Sequence, residues 1–222
     1  MIKKTSFERV TLLTLVWYKP VIKSEIEAFS KYIDHVESTI TEEFLKLKNQ
    51  IDQYEGDEQE LYVDYMYDEI VTYRDDFPAI MRSSILISIY TYLEHELNRF
   101  CRYHNADGFK NYDSRDRGIE RAKNFIKDEL NMKFPDQTKS WQFINSVREI
   151  RNSFAHANGY IDQVSNPIKL RNVIDLLGKD LVSESSGTIR KIKLEETFNK
   201  EFIKHVTEFL DNLYELISPP VK

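Results

Sequence analysis

From Ile22 to Tyr54 the apolar residues Ile22, Ile26, Phe29, Ile33, Val36, Ile40, Leu47, Ile51 and Tyr54 recur mostly at alternating spacings of four and three. That rhythm predicts one long amphipathic helix with a coiled-coil-like seam. The polar run EGDE at 55–58 interrupts it, and QELYVDYMYDEIVTY is helical again until Phe77-Pro78. Residues 1–77 are therefore expected to form an N-terminal segment carrying an antiparallel helical hairpin.

Pro78 suits the first turn of a new helix, running through AIMRSSILISIYTYLEHELNRFCRY to about residue 104. Ile85, Leu86, Ile89, Leu93, Leu97, Phe100 and Cys101 make its apolar face, and Ser84, Ser88, Thr91, His95 and Arg102 a polar stripe. HNADGFKNYDSRDRG, rich in turn residues, reads as a loop. A shorter helix, IERAKNFIKDELNM, would pack through Ile119, Ala122, Phe125, Ile126 and Leu130. The next would start near Thr138 or Ser140 as N-cap, bury Trp141, Ile144, Val147, Ile150 and Phe154, and stop at Asn158-Gly159. NPIKLRNVIDLLGKDLV suggests a short helix, and 181–193 a turn with a minor strand segment, signalled by Gly187 and the β-branched pair Thr188-Ile189. A closing helix from about 195 is buried by Phe198, Phe202, Val206, Phe209, Leu210, Leu213 and Ile217, and SPPVK is a frayed tail. The expected fold class is all-α, with residues 78–218 as one helical domain.

Composition narrows the function classes. The 222 residues include 41% hydrophobic and 31% charged residues, enough to bury a core without staples. The single Cys101 cannot form an internal disulfide, which makes a reducing, cytoplasmic setting the default. VTLLTLVWY near the N-terminus lacks a cleavage site and reads as a buried segment, and no apolar run is long enough to span a bilayer. Net charge is −6 but unevenly spread: residues 23–77 hold 16 acids against 5 Lys/Arg, a net of −11, whereas 95–156 hold 9 acids against 12 Lys/Arg, a net of +3. The acidic hairpin exterior is most simply a solvated face, with a docking or RNA-mimicking surface as the alternative.

The basic segment contains REIRNSFAHANG, residues 148–159. On a helix Asn145, Glu149, Asn152 and His156 form one polar stripe, and Arg151 lies between it and the core side. Arg151 and His156 are separated by about 140° around the axis, so the pair would meet only around a ligand or across an interface. A neutral histidine can accept a proton from an RNA 2′-OH or, once protonated, donate one to a leaving oxygen. Arginine can neutralise a phosphorane with its planar fork of donors, and Asn152 can orient the histidine or a phosphate. The alternative is structural: Arg and His near a helix C-terminus also complement the negative end of its dipole. No metal site or cofactor is expected from the spacing of His, Cys and acidic residues. His35, His95, His104 and His205 read as solvated side chains, and Cys101 as a buried thiol.

RNSFAH, residues 151–156, resembles the RNxxxH signature of the HEPN family, the higher-eukaryote and prokaryote nucleotide-binding domains. YTYLEHELNRFC is similar to that family's first core helix, and GIERAKNFI with a Trp before the motif helix fits some bacterial members. The resemblance covers roughly residues 79–160, with the C-terminal helix completing the bundle. It implies a HEPN-like helical bundle that forms a homodimer, two motif helices facing each other across a composite cleft. It also implies a metal-independent endoribonuclease, a toxin or antiviral effector, with RNA as substrate and an antitoxin or regulatory protein as partner. Arg151 and His156 then match the catalytic positions, Asn152 the polar position after the arginine, and Glu94, with Glu96 as rival, the supporting acid. Arg148, Tyr160, Lys110, Arg115 and Arg117 are candidates for touching RNA. A noncatalytic module of the same fold, binding RNA, a nucleotide or a protein, is the alternative.

Overall fold

The computed structural model describes Tyr18, residues 20–185 and residues 189–217. Its elements are α1 (Lys23–Ile51), α2 (Asp57–Tyr65), α3 (Tyr67–Val71), a π-helical turn (Thr72–Asp76), α4 (Phe77–Asn111), α5 (Gly118–Asp128), α6 (Lys139–Ala157), a 3-10 turn (Ile161–Gln163), α7 (Pro167–Leu177), β1 (Val182–Glu184), β2 (Ile192–Leu194) and α8 (Phe198–Ile217). The fold is mostly all-α, as the periodicity predicts. The segment VTLLTLVWY lies, up to Trp17, outside the described residues, as do Gly187, Thr188 and SPPVK.

The core forms where α4, α6 and α8 bring their apolar faces together. Trp141 of α6 is the largest fully buried side chain among the described residues, 4.8 Å from Phe134 and 5.1 Å from Phe209 between ring centres. Burial of such rings contributes about 1.5–3 kcal/mol each. The first half of α1 belongs to the same apolar cluster through Ile26 and Ile33, as does Ile22 just before it, and Tyr18 stacks on Tyr214 of α8 at 4.2 Å. α1 also contacts the π-helical turn and α2, and Leu47 is the buried residue of its C-terminal half. β1 and β2 pair antiparallel, with Val182 opposite Leu194 and Glu184 opposite Ile192.

Pro78 stands in the first turn of α4 as expected, but no break in the chain precedes it: Val71, Thr72, Asp76 and Phe77 all keep right-handed helical dihedrals, so the chain runs through the π-helical turn into α4. The amide of Phe77 bonds the carbonyl of Thr72, five residues back. That widened turn accommodates a proline that lacks an amide and would clash with the carbonyl four residues earlier. The expected loop after residue 104 is also helical as far as Asn111. The backbone breaks only at Asn105 (φ −157°, ψ 89°), whose Oδ1 accepts the Gly108 amide at 2.9 Å and caps a new helical segment. Phe109 anchors that segment by packing edge-on against Phe125 at 5.0 Å under the Arg121 guanidinium.

A buried ion pair ties the layers. Arg82 of α4 makes two 2.8 Å bonds to the carboxylate of Glu37 on α1 and a third, 3.0 Å, to the Leu194 carbonyl of β2.

Candidate functional site

α6 is delimited by signals in its own sequence. Thr138 Oγ1 accepts the Trp141 amide at 3.2 Å as N-cap. At the other end Asn158 (φ 49°) and Gly159 (φ 77°) are both left-handed, and the Gly159 amide returns to the Ser153 carbonyl at 3.2 Å. A Cβ on Gly159 would stand 2.8 Å from Phe154 Cε1, so the position excludes a side chain on two grounds. The turn is then pinned to the hairpin: Ile192 donates to the Gly159 carbonyl, and Ile161 to the Arg190 carbonyl. The last turn of α6, with His156, thus sits on a fixed base.

Arg151 leans toward α4. Its guanidinium lies 5.3 Å from the centre of the buried Tyr90 ring, and Nη1 donates to Asn152 Oδ1 at 3.1 Å. Nε is buried with no hydrogen-bond partner. Burial keeps the Tyr90 phenol protonated, and the charges around it are Arg148, Glu94, Arg151 and Glu120. Glu94 is therefore on the α6 side of α4, its carboxylate 3.4 Å from where a Gly118 Cβ would stand, at the first turn of α5. Its rival Glu96 points elsewhere: it is buried, paired with Arg99 at 3.0 Å, and its charge adds to the upward pKa shift that burial gives Tyr92 and Tyr214.

His156 is exposed and makes no hydrogen bond or ion pair among the described residues. Within one chain no contact joins it to Arg151, as their angular separation on the helix requires. The rest of the polar stripe is committed to packing. Glu120 of α5 takes Arg148 at 3.3 Å, Lys123 at 3.1 Å and the Asn145 amide at 3.0 Å, whose oxygen accepts from Trp141 Nε1 at 2.8 Å. Glu149 holds Lys169 of α7 at 2.8 Å. Tyr160 already carries a cation over its ring, Lys191 Nζ at 4.2 Å. Lys110, Arg115 and Arg117 are exposed around the link between α4 and α5.

Of the remaining candidates, Cys101 is a buried thiol whose pKa desolvation pushes up to about 12, so it is not a nucleophile at neutral pH. His35 and His95 are exposed as expected. His104 is half-buried, its ring 4.5 Å from that of Phe100. His205 is not solvated: it stacks on Phe143 at 4.2 Å, lies 3.3 Å from Glu201 and 3.5 Å from Glu208, and approaches Ser140 Oγ at 3.4 Å. This Ser-His-Glu grouping was hidden in the sequence because Ser140 and His205 sit on different helices. Ser140 is buried and donates its hydroxyl proton to Glu208 at 2.8 Å, which makes the cluster a clamp between α6 and α8, not a nucleophile with its base.

No helix among the described residues is long and apolar enough to cross a membrane. No family model, curated protein or solved structure matches this chain.

Proposed function

We propose that this chain is a metal-independent endoribonuclease, of the toxin or antiviral-effector kind, whose cleft is completed when α6 of a second copy faces the first. The observation that carries the reading is the state of the two signature residues. Arg151 is held by Tyr90 and Asn152 with a buried donor left over, while His156 stands on a rigid helix end, open to solvent. An arginine held in this way presents a fixed positive charge to an anion that reaches the surface of α6. A histidine open to solvent is suited to proton transfer near neutral pH.

In this mechanism neutral His156 takes the proton of a ribose 2′-OH, the 2′ oxygen attacks the adjacent phosphorus, and the 5′ oxygen leaves with a proton from a protonated His156. Arg151 neutralises the charge that builds on the non-bridging oxygens, and Asn152 fixes the guanidinium. The products are a 2′,3′-cyclic phosphate and a 5′-OH. Because Arg151 and His156 diverge on one helix, the pair assembles from two chains.

The test is incubation of wild type and His156→Ala with a mixed RNA pool in EDTA, followed by mapping of product ends. Fragments ending in cyclic phosphate, absent with His156→Ala, are expected. A folded, dimeric protein that leaves the pool intact would favour the second reading, a noncatalytic module of the same fold. That reading is supported by the commitment of Arg148, Asn145 and Glu149 to the network with α5 and α7, which leaves few side chains of the stripe to act on a substrate.

A further inference from the structure

Away from α6, a groove runs between α1 and the start of α4. Near Phe77 it has a volume of about 490 Å³ and is walled by Tyr32, Val36 and Ile40 from α1 and by Ile80, Met81 and Ile85 from α4. Ser84 and Ser88 make its floor narrow enough in side-chain volume for the hollow to exist. Past Tyr32 it continues into a second hollow of about 460 Å³, walled by Glu25, Ala28, Phe29 and Tyr92.

Three large apolar side chains on this groove face water: Tyr32 is 54% exposed, Phe77 45% and Ile80 63%. Among the described residues nothing covers them. Scattered exposed apolar residues need no explanation, but three around one continuous hollow form the kind of patch that marks an interaction site. From Glu25 to Ile40 the α1 wall spans about 22 Å, the length of four helical turns.

Charge identifies what fits. The hairpin from residue 23 to residue 77 has a net charge of −11, Glu25 lines the groove itself, and exposed Asp76 stands beside Phe77. On the α1 wall Glu27, Asp34 and Glu37 are paired with Lys31, Lys200 and Arg82, so Glu25 and Asp76, toward the two ends of the groove, are the carboxylates left to attract a cationic segment whose apolar residues recur at helical spacing. We propose that the groove between α1 and α4 is the docking site for a basic amphipathic helix of a partner protein. The helix buries an apolar stripe against Tyr32, Phe77 and Ile80 and sets its lysines or arginines against the hairpin acids. This inference does not depend on the ribonuclease reading, because the groove shares none of the residues around Arg151 or His156.

The experiment measures fluorescence anisotropy of a labelled 14-residue helical peptide of Leu and Lys, and of its Leu and Glu counterpart, titrated with the full chain. The variants Ile80→Gln and Tyr32→Ser keep the net charge, so any loss they cause reports the apolar contact. Circular dichroism and sedimentation accompany each titration. Binding of the Lys peptide, weakened tenfold or more by either variant, and no binding of the Glu peptide, are expected. Failure of the Lys peptide to bind wild type, or binding that Ile80→Gln leaves unchanged, would overturn the proposal. So would self-association of the chain that Ile80→Gln weakens, which would give the groove to a second copy.

Discussion

The guanidinium of Arg151 rests 5.3 Å from the centre of the Tyr90 ring, an α6 cation laid on an α4 aromatic that is only 3% exposed. A desolvated cation over an aromatic face gains about 0.5–2 kcal/mol, and here the ring also fixes where the arginine fork points. If Arg151 neutralises the cleaved phosphate, loss of the ring face should lower the single-turnover cleavage rate about 2- to 30-fold. Tyr90→Phe keeps the face and should retain most of the rate, whereas Tyr90→Leu should not. Equal rates for the two variants would detach Tyr90 from the positioning of Arg151.

Much of this arrangement was legible in the sequence because it is set by local rules. The Thr138 cap, the Asn158-Gly159 stop and the strand segment near 181–193 all follow from residues within a turn of where they act. The divergence of Arg151 and His156 follows from helix geometry alone. What escaped was of two kinds. Asn105 looked like a turn residue in a polar stretch, yet Phe109 four residues on was the apolar anchor that turns an Asn-initiated turn into a capped helix. Glu37 on the apolar seam beside Val36 was the one local sign of the pair with Arg82, but its partner is 45 residues away, and no spacing rule links them. The Tyr90 platform escaped for the same reason, since a tyrosine at an apolar position reads as core whichever cation it meets.

That buried pair sets a stability prediction. Glu37 and Arg82 have side chains only 5% and 12% exposed, so removing one partner strands a charge in the interior. Arg82→Ala should destabilise the chain by about 3–5 kcal/mol. The double variant Glu37→Leu with Arg82→Met should recover most of that loss, because an apolar pair of similar volume needs no charge compensation. Urea melts of the two variants check this; a double variant as unstable as Arg82→Ala would show that the bond to the Leu194 carbonyl, not the charge pairing, is what holds the layers.

Gly159 offers a local test of the end of α6. Its φ of 77° is unfavourable for any side chain, and a methyl group would press on Phe154 at 2.8 Å. Gly159→Ala should lower stability by about 1–3 kcal/mol. If the last turn of α6 carries catalysis, the variant should also lose RNA cleavage at temperatures where it remains folded, since His156 would move with the displaced Phe154. Retention of full cleavage in a destabilised variant would separate the helix end from the chemistry.

Glu96 makes the stability of the fold depend on pH with a sign opposite to that of an ordinary surface carboxylate. Burial at 2% exposure lifts its carboxyl to about 7, Arg99 at 3.0 Å working against the shift and Glu25 adding to it. In the unfolded chain the same group titrates near 4.5. Between these values the folded state holds a proton that the unfolded state releases, so this group's contribution is greatest below the unfolded value and is lost as pH rises through about 7. The loss is on the order of 3 kcal/mol, from 1.36 kcal/mol for each unit between the two values. Glu96→Gln mimics the protonated side chain at every pH. It should match wild type in a urea melt at pH 4.5 and exceed it at pH 8, the difference growing through the interval. Comparing variant with wild type at each pH cancels the titration of groups common to both chains. A difference that stays constant from pH 4.5 to pH 8 would mean that Arg99 keeps Glu96 ionised throughout, and that the pair, not the proton, satisfies the buried carboxyl.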